Sequence, residues 1–377
     1  MRASRPTLML AGVVALSLSA LGAASVAASP SAAGDPAKGR YIVAANGGCD
    51  CHGPDLAGFK EDAPAAQSGE MFRGAFGSVT AKNITPDKET GIGDWTDDEV
   101  INAIRNGVDA DGMPLFPIMP YVSFHFMSNT DVADLVAFLR TIPAVRNDVP
   151  ENELNVSVPA PPSLPPSPAT APTSGIERGR YLVSAISICG NCHTPSLPSG
   201  VPDTSKFLAG GTIENEIAAN LTPDKVTGIG NWTDAQIAAV LRFALEPEGT
   251  RVSGLMFYLD GGIPLSGGFS QLTDSDRGAI VAFLRTIPAV SNVAANGAGF
   301  QFGFKTLSDL LPAIVGLPLE NQHPVANGDI LQQTTGGVLQ YRPSTNVPSF
   351  TDGFMTWLLG PFGLQERLNT QRFDWER

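Results

Sequence analysis

The chain has 377 residues and is 43% hydrophobic, which is enough for two or three domains with proper cores. Its formal net charge of −13 at pH 7 argues against nucleic acid as a partner, because phosphates are bound by positively charged surfaces. An acidic surface would either steer positively charged protein partners or keep the chain soluble. Only one long apolar stretch occurs, which excludes a protein that spans a membrane several times.

This apolar stretch lies at the N-terminus and predicts a secretory signal peptide over residues 1–28. Arg2 and Arg5 give a positive start, residues 8–21 are uncharged and apolar, and small residues follow up to Ala28. We therefore expect an extracytoplasmic protein, in the periplasm or on the outer face of the cytoplasmic membrane. An uncleaved anchor is the alternative, so membrane association stays open.

The rest of the chain contains an internal repeat of two units, at about 35–147 and 175–292. Four segments recur, namely 39–43 as 179–183, 83–88 as 220–225, 90–96 as 227–233, and 135–143 as 280–288. Each unit is long enough to be a small domain. Residues 148–174 are rich in proline and predict a semi-rigid linker, and residues 293–377 form a C-terminal region outside the repeat.

Helical signals dominate both units. An opening helix leads to a cysteine cluster in each. Capping boxes then begin a further helix in each unit, formed by Thr96 with Glu99 and by Thr233 with Gln236. Closing helices start near 130–131 and 273–274, and each is followed by a proline. Strand patterns are scarce, so we expect a mainly α fold with a small mixed C-terminal region, where 334–341 predicts a strand after a turn.

All four cysteines lie in two clusters, and the second cluster fits a haem-attachment motif. Cys189, Cys192 and His193 have the spacing C-x-x-C-H. Two thiols three residues apart share one face of a helical turn, so both can add to the vinyl groups of one haem, and the adjacent histidine can ligate the iron. A thioredoxin-like pair lacks its βαβ context, and a zinc site lacks further ligands nearby. A disulfide would leave the histidine and the repeat unexplained.

The first cluster is one residue shorter, since Cys49, Cys51 and His52 have the spacing C-x-C-H. Residues two apart on a helix point in different directions, so two normal thioethers would strain this turn. We expect Cys51 to bond the haem and His52 to ligate it. Cys49 would bond only if the turn is distorted. The alternative is that this unit has lost its haem.

Met119 and Met256 are the candidate sixth ligands of the two irons. Each lies 24 residues after the tryptophan of its unit, Trp95 or Trp232. A methionine is more often core filler, but the repeated register favours ligation. Three other candidates fail this test, because Met113 aligns with Thr250, His125 with Gly262 and Met127 with Pro264. Thioether sulfur on the iron raises its potential and suits electron transfer.

Together the two units resemble class I cytochrome c domains, and more narrowly the cytochrome c subunits of bacterial membrane-associated alcohol, aldehyde and gluconate dehydrogenases. In the first unit the resemblance is carried by these residues: Gly39, Tyr41, Cys51, His52, 83–86, 91–95, 119–121 and 135–143. It implies two tandem cytochrome c domains whose opening and closing helices cross closely, at Gly39 with Phe138 and at Gly179 with Phe283. The chain departs from those subunits in its short first motif, in Phe257 where a proline is usual, and in having two such domains where three are usual.

The resemblance implies two covalently attached haem c groups and a carrier of electrons, with no catalytic residues of its own. Its redox partners would be a dehydrogenase or another carrier as donor, and an oxidase or a second cytochrome as acceptor. A di-haem enzyme, of the peroxidase or thiosulfate-oxidising type, is the alternative, and it would need a displaceable iron ligand or a spare cysteine. A haem-containing docking protein is a third hypothesis.

Overall fold

The computed structural model describes residues 34–64, 67–197, 201–213, 216–247, 249, 251–252, 256, 267–292, 300, 302–316 and 318–376. The predicted signal peptide, 1–28, lies outside these residues. Within the described part of the chain, no helix is both long enough and apolar enough to cross a membrane.

The first repeat unit consists of four helices and a small antiparallel sheet. Its elements in chain order are α1 (Pro36–Ala45), β1 (Met71–Gly74), β2 (Gly77–Thr80), α2 (Asp97–Asn106), α3 (Tyr121–Phe124), α4 (Asn129–Leu139) and β3 (Glu153–Leu154). A 3₁₀ turn, Asp50–His52, follows α1 and carries the first cysteine cluster. Strand β2 pairs with both β1 and β3.

The second unit repeats this order with local differences. Its elements are α5 (Gly175–Tyr181), α6 (Gly190–His193), β4 (Gly211–Ile213), β5 (Glu216–Ala218), α7 (Asp234–Phe243) and α8 (Asp274–Leu284). A π-helical turn, Leu182–Ile186, continues α5, and a 3₁₀ turn, Gly268–Gln271, precedes α8. Helix α6 carries the second cysteine cluster.

Both predicted capping boxes are confirmed. The hydroxyl of Thr96 accepts from the backbone N–H of Glu99, whose carboxylate accepts from the N–H of Thr96, and Thr233 and Gln236 form the same pair. The closing helix α8 begins after Thr273, as predicted. In α4 the capping residue is Ser128, slightly earlier than the predicted start, because its hydroxyl accepts from the N–H of Asp131.

The opening and closing helices of each unit cross in direct backbone contact. A Cβ placed on Gly39 would lie 1.9 Å from the carbonyl oxygen of Asp134 and 2.7 Å from Cβ of Phe138. A Cβ on Gly179 would lie 1.9 Å from the carbonyl oxygen of Ala279 and would touch Phe283 in the same way. Only glycine permits this approach, so the crossing predicted from the resemblance is confirmed.

The C-terminal region has a sheet and a hydrophobic core of its own. Two helices, α9 (Phe302–Leu310) and α10 (Pro312–Val315), precede six antiparallel strands in sequential order: β6 (His323–Pro324), β7 (Ile330–Gln333), β8 (Val338–Arg342), β9 (Val347–Thr351), β10 (Met355–Gly360) and β11 (Gly363–Leu368). Phe304, Leu307, Leu339 and Phe350 are fully buried between α9 and the sheet. Strand β8 follows a turn at 334–337, which confirms the strand predicted there.

The prediction of a mainly α fold is wrong. Among the residues that the structure describes, helices account for 32% and strands for 16%, and the six-stranded sheet dominates the C-terminal region. Apart from β8, which was predicted, and β9, most strands were missed because their residues do not alternate cleanly between buried and exposed positions. In β10 the adjacent residues Trp357 and Leu358 are both buried, and β1 and β2 are only four residues each.

The proline-rich segment 148–174 runs along the first unit. Its strand β3 pairs with β2. The carbonyl oxygen of Pro150 accepts a hydrogen bond from the hydroxyl of Thr80 at 2.7 Å, and the carbonyl oxygen of Pro168 accepts one from the N–H of Asn129 at 2.9 Å. One continuous hydrophobic core extends through both repeat units. The two units therefore pack against each other directly.

Candidate haem sites

His193 lies at the end of α6 with one ring nitrogen fixed. Its Nδ1 is 2.7 Å from the carbonyl oxygen of Ala219. Because Nδ1–H donates to this carbonyl, the proton is held on Nδ1 and Nε2 can ligate a metal. Burial lowers the pKa of His193, which favours the neutral imidazole that a metal requires.

His52 has the same arrangement in the first unit. Its Nδ1 is 2.7 Å from the carbonyl oxygen of Lys82, and burial lowers its pKa as well. Despite the shortened cysteine cluster, the histidine of this unit is therefore oriented like His193. This repeated geometry is what an axial imidazole ligand to haem iron needs.

The two residues that supply these carbonyls, Lys82 and Ala219, directly precede the recurring segments 83–88 and 220–225, whose role the sequence did not reveal. Lys82 directly precedes Asn83, whose side chain accepts from the N–H and hydroxyl of Thr85 and donates to the carbonyl of Val145 at 2.8 Å. In the second unit Asn220 makes the corresponding bonds. The repeated asparagine thus fixes the loop whose carbonyl orients the histidine, and its recurrence was the available signal.

The second cluster presents two thiols on one helical turn. The N–H of His193 donates to the carbonyl of Cys189 at 2.9 Å, which closes a turn between the two cysteines and the histidine. Cys189 and Cys192 are not joined by a disulfide. Burial, helped by the neighbouring Cys192, raises the pKa of Cys189 to about 12, so both groups are held as neutral thiols. Because neither thiol is in a disulfide, both are available for addition to haem vinyl groups.

The first cluster has a distorted backbone. Gly47, Gly48 and Cys49 have φ values of 92°, 104° and 57°, three successive residues in the left-handed region. The N–H of His52 donates to the carbonyl of Cys49 at 2.9 Å, so this turn is a 3₁₀ turn, one residue tighter than α6. The turn is therefore distorted, which is the condition on which bonding of Cys49 to haem was expected to depend.

Judged by backbone hydrogen bonds, the one-residue difference between the two units lies in the stretch of chain that leads into the haem motif. The N–H of Gly48 donates to the carbonyl of Val43 at 2.8 Å, and the N–H of Cys189 donates to the matching Val183 at 2.9 Å. Judged by this hydrogen bond, Gly48 occupies the backbone position that Cys189 has in the second unit. Cys49 therefore lies one residue later than that position, whereas Cys51 still directly precedes the histidine.

Met119 and Met256 each follow an isolated backbone bridge. An isolated bridge pairs Val108 with Pro114 in the first unit, and another pairs Leu245 with Arg251 in the second. Each methionine lies five residues after its bridge. Both are partly buried against the common core. The two methionines therefore have the same spacing from a backbone bridge in both units.

The other candidates in the first unit have different environments. Met127 is 1% exposed and belongs to the core, whereas Met113 is 60% exposed. Both ring nitrogens of His125 face acceptors, Nε2 at 2.7 Å from the carbonyl of Pro165 and Nδ1 at 3.1 Å from Oδ1 of Asn106. His125 therefore holds the proline-rich segment against the first unit.

The described residues fit an iron porphyrin in each unit. In each unit, the hydrogen bond at Nδ1 of the histidine leaves Nε2 able to bind iron, and at least one cysteine thiol lies next to this histidine. Each unit also has a partly buried methionine thioether at the same position in the repeat. When bound, such a haem supplies a reversible one-electron couple, and the protein sets its ligands and surroundings.

Comparison with known proteins establishes the class. The chain is 34% identical over 272 residues to a diheme cytochrome c-type protein of Cereibacter sphaeroides, covering 68% of this chain and 87% of that protein. It therefore belongs to the di-haem c-type cytochromes, carries two covalently bound haem c groups and functions in electron transfer. Its relatives also place it outside the cytoplasm. No family model matches the chain.

Within this family, several relatives are subunits of dehydrogenases. The chain is 29% identical over 322 residues to the fructose dehydrogenase cytochrome subunit of Gluconobacter japonicus, and covers 61% of it. It is 30% identical over 284 residues to the cytochrome c subunit of the quinone alcohol dehydrogenase of Gluconacetobacter polyoxogenes, and covers 56% of that subunit. The chain thus spans little more than half the length of these two subunits.

Proposed function

We propose that the chain is the electron-transfer subunit of an extracytoplasmic dehydrogenase, or a carrier that docks on one. It would accept electrons from the dehydrogenase and deliver them to an oxidase or a second cytochrome. The names of its relatives, a fructose and an alcohol dehydrogenase cytochrome subunit, support a donor of this kind. The formal net charge of −13 supports docking on a positively charged protein surface.

The observation that carries this proposal is the repeated histidine geometry. In both units Nδ1 of the motif histidine lies 2.7 Å from a fixed backbone carbonyl oxygen, so that Nε2 can face an iron. We assign His52 and His193 as proximal ligands and Met119 and Met256 as the opposite ligands. Two irons that each have a methionine sulfur as the sixth ligand would be suited to electron transfer. They would leave no open coordination position, which a peroxidase needs.

Covalent attachment would involve Cys189 and Cys192 in the second unit. In the first unit it would involve Cys51, with Cys49 as a further candidate. We propose the repeat units 35–147 and 175–292 as the two haem domains, joined by the segment 148–174.

The proposed route to the outside of the cytoplasm is a signal peptide over residues 1–28. Arg2, Arg5 and the apolar stretch that follows support it. The final location would be the periplasm or the outer face of the cytoplasmic membrane, and residues 293–377 would be a C-terminal docking or packing module.

Purification of the tagged chain from membranes of its native host tests the proposal. We expect two haems per chain by haem staining and mass, and a co-purifying dehydrogenase that reduces them when its substrate is added. As a control, the His52→Ala and His193→Ala double variant should pull down the same dehydrogenase without reduction of haem. A wild-type chain that binds no dehydrogenase, or that such an enzyme cannot reduce, would contradict the proposal.

A further inference from the structure

The contact between the two units has a pseudo-two-fold pattern that the repeat alone does not require. Tyr41 and Tyr181 are equivalent residues of the two opening helices, and each reaches the closing helix of the other unit. The hydroxyl of Tyr41 donates to Oδ2 of Asp276 at 2.7 Å. The hydroxyl of Tyr181 donates to Oδ2 of Asp131 at 2.6 Å. Asp131 and Asp276 are themselves equivalent in the repeat.

The same two hydroxyls also accept hydrogen bonds at the N-caps of the opposite closing helices. The backbone N–H of Ser128 donates to Tyr181 at 2.9 Å, and that of Thr273 donates to Tyr41 at 3.2 Å. Each tyrosine hydroxyl therefore takes the place of solvent at the N-terminus of a closing helix. It also donates to an aspartate in the first turn of that helix. Burial raises the pKa of both tyrosines, so both hydroxyls stay protonated and can donate.

The interface also joins the segments that lead into the two cysteine clusters. The amide of Asn46 donates to the carbonyl of Ile186 at 2.7 Å, and the hydroxyl of Ser187 donates to the carbonyl of Ala45 at 2.6 Å. Ser187 is 7% exposed, so this part of the interface is shielded from water. Asn46 lies three residues before Cys49, and Ile186 lies three residues before Cys189.

These bonds limit how far apart the attachment points can be. Three residues of chain extend over at most about 11 Å, and helical chain is shorter. On each side of the contact only such a segment separates the interface from a haem-attachment cysteine. The segments that lead into the two clusters are therefore held close to each other at the interface.

We propose that Tyr41 and Tyr181 are positioning residues that hold the two attachment segments together, so that electrons pass directly from one haem to the other within the chain. The proposal rests on the haem assignment above. With both haems bound, such an exchange would move one electron, oxidising one iron and reducing the other, without transfer of a proton or any other atom. The chain would then act as one two-site relay and not as two independent carriers.

The test uses the haem-loaded chain with Tyr41→Phe, Tyr181→Phe and the double substitution. Phenylalanine keeps the ring and removes only the hydroxyl. Tyr341→Phe is the matched control, because its hydroxyl bonds Asn346 in the C-terminal sheet, away from the interface. The first measurement is hydrogen exchange of the backbone N–H groups of Ser128 and Thr273. The second is the rate of electron redistribution between the haems after a substoichiometric reducing pulse.

We expect the double variant to lose protection at both amides and to redistribute electrons several-fold more slowly, while the control matches the wild type. Unchanged protection would overturn the role of the tyrosines, and lost protection with an unchanged rate would overturn the relay. Should the double variant not fold, Tyr181→Phe must lose protection at Ser128 and Tyr41→Phe must lose protection at Thr273, and each must slow the redistribution in smaller degree. A wild-type chain without two haems would instead contradict the function proposed above.

Discussion

The two cysteines of the first cluster occupy unequal positions. Cys51 adjoins a histidine whose ring is held by the Lys82 carbonyl, as Cys192 adjoins His193. Cys49 has a φ of 57°, which costs a non-glycine residue about 1 kcal/mol and turns its side chain away from the helical path. The backbone thus places one cysteine of this cluster as in the second unit and displaces the other.

Substitution of these two cysteines should therefore have unequal effects. We expect Cys51→Ser to lose the covalent haem of the first unit, and Cys49→Ser to retain it through a single thioether. Mass spectrometry of the haem peptide containing residue 52 measures this directly. Cys189→Ser and Cys192→Ser provide the comparison in the regular motif. Retention of covalent haem by Cys51→Ser would contradict the assignment.

The two interface tyrosines should also differ in their contribution to stability. Without the hydroxyl of Tyr181, the N–H of Ser128 stays buried and unpaired, because Ser128 is 0% exposed. Such a group costs about 1–3 kcal/mol. The N–H of Thr273 is exposed and can bind water when Tyr41 loses its hydroxyl. Denaturant unfolding should show a larger loss for Tyr181→Phe than for Tyr41→Phe, and equal losses would contradict this account.

At the scale of the elements, the helix crossings depend on a missing side chain. A Cβ at position 39 would have to push α1 away from α4, since it would lie 1.9 Å from a backbone oxygen. Gly278 provides a matched control in α8, because a Cβ there would have no neighbour within 4 Å.

We therefore expect Gly39→Ala to destabilise the protein by about 1–3 kcal/mol or more, through overpacking. Gly278→Ala should stabilise it by about 0.5–1 kcal/mol, because alanine favours a helix over glycine. Thermal unfolding monitored by far-UV circular dichroism measures both changes. If both variants changed the stability of the protein in the same direction, lack of space would not be what limits the helix crossing.

The elements also show which structural signals are local. The capping boxes at Thr96 and Thr233 were predictable, because their hydrogen bonds join residues three apart in sequence. The β1–β2 hairpin was not, since its strands are short and partly exposed. The early start of α4 at Ser128 was missed because a nearby threonine offered an equally good cap in the sequence.

At the scale of the whole molecule, the repeat predicted the residues of each candidate site but not the way the units meet. Tyr41 and Tyr181 were visible as a repeated residue, yet their partners lie 235 and 50 residues away along the chain. The carbonyls of Lys82 and Ala219 carry no side-chain signature at all. Contacts of this kind depend on the packed structure, so a single sequence does not reveal them.

Two separate hydrophobic cores predict how the molecule tolerates truncation. One core runs through both repeat units, and the other is formed by α9, α10 and the C-terminal sheet. A chain ending at residue 292 should therefore keep two covalent haems, the Tyr181 interface and a melting temperature close to that of the full chain. Haem content and calorimetry check this result. Loss of either haem would show that the C-terminal sheet supports the haem units.

The interface also predicts how the stability of the whole molecule depends on pH. Burial alone would raise the pKa of Asp276, but the hydrogen bonds from Arg178, at 2.9 and 2.8 Å, and from Tyr41 outweigh it and lower the pKa. A carboxyl whose pKa is lowered by folding stabilises the protein above its unfolded pKa, which is about 3.9. This contribution is lost as the pH falls through the folded pKa, below that value.

Asp276→Asn should consequently be less stable than the wild type at pH 7, by about 1–3 kcal/mol, because it leaves the partly buried Arg178 without its counter-charge. The two proteins should converge only as the pH falls through the folded pKa of Asp276, which lies below about 3.9, since the wild-type carboxyl is then protonated as well. Denaturant unfolding from neutral pH down to about pH 2, below that unfolded value, measures the difference. Asp309→Asn is the control, because its pair with Lys305 is exposed and should contribute about 0.5 kcal/mol or less at every pH. A constant difference between the wild type and Asp276→Asn would contradict the role of this ionised carboxylate in joining the units.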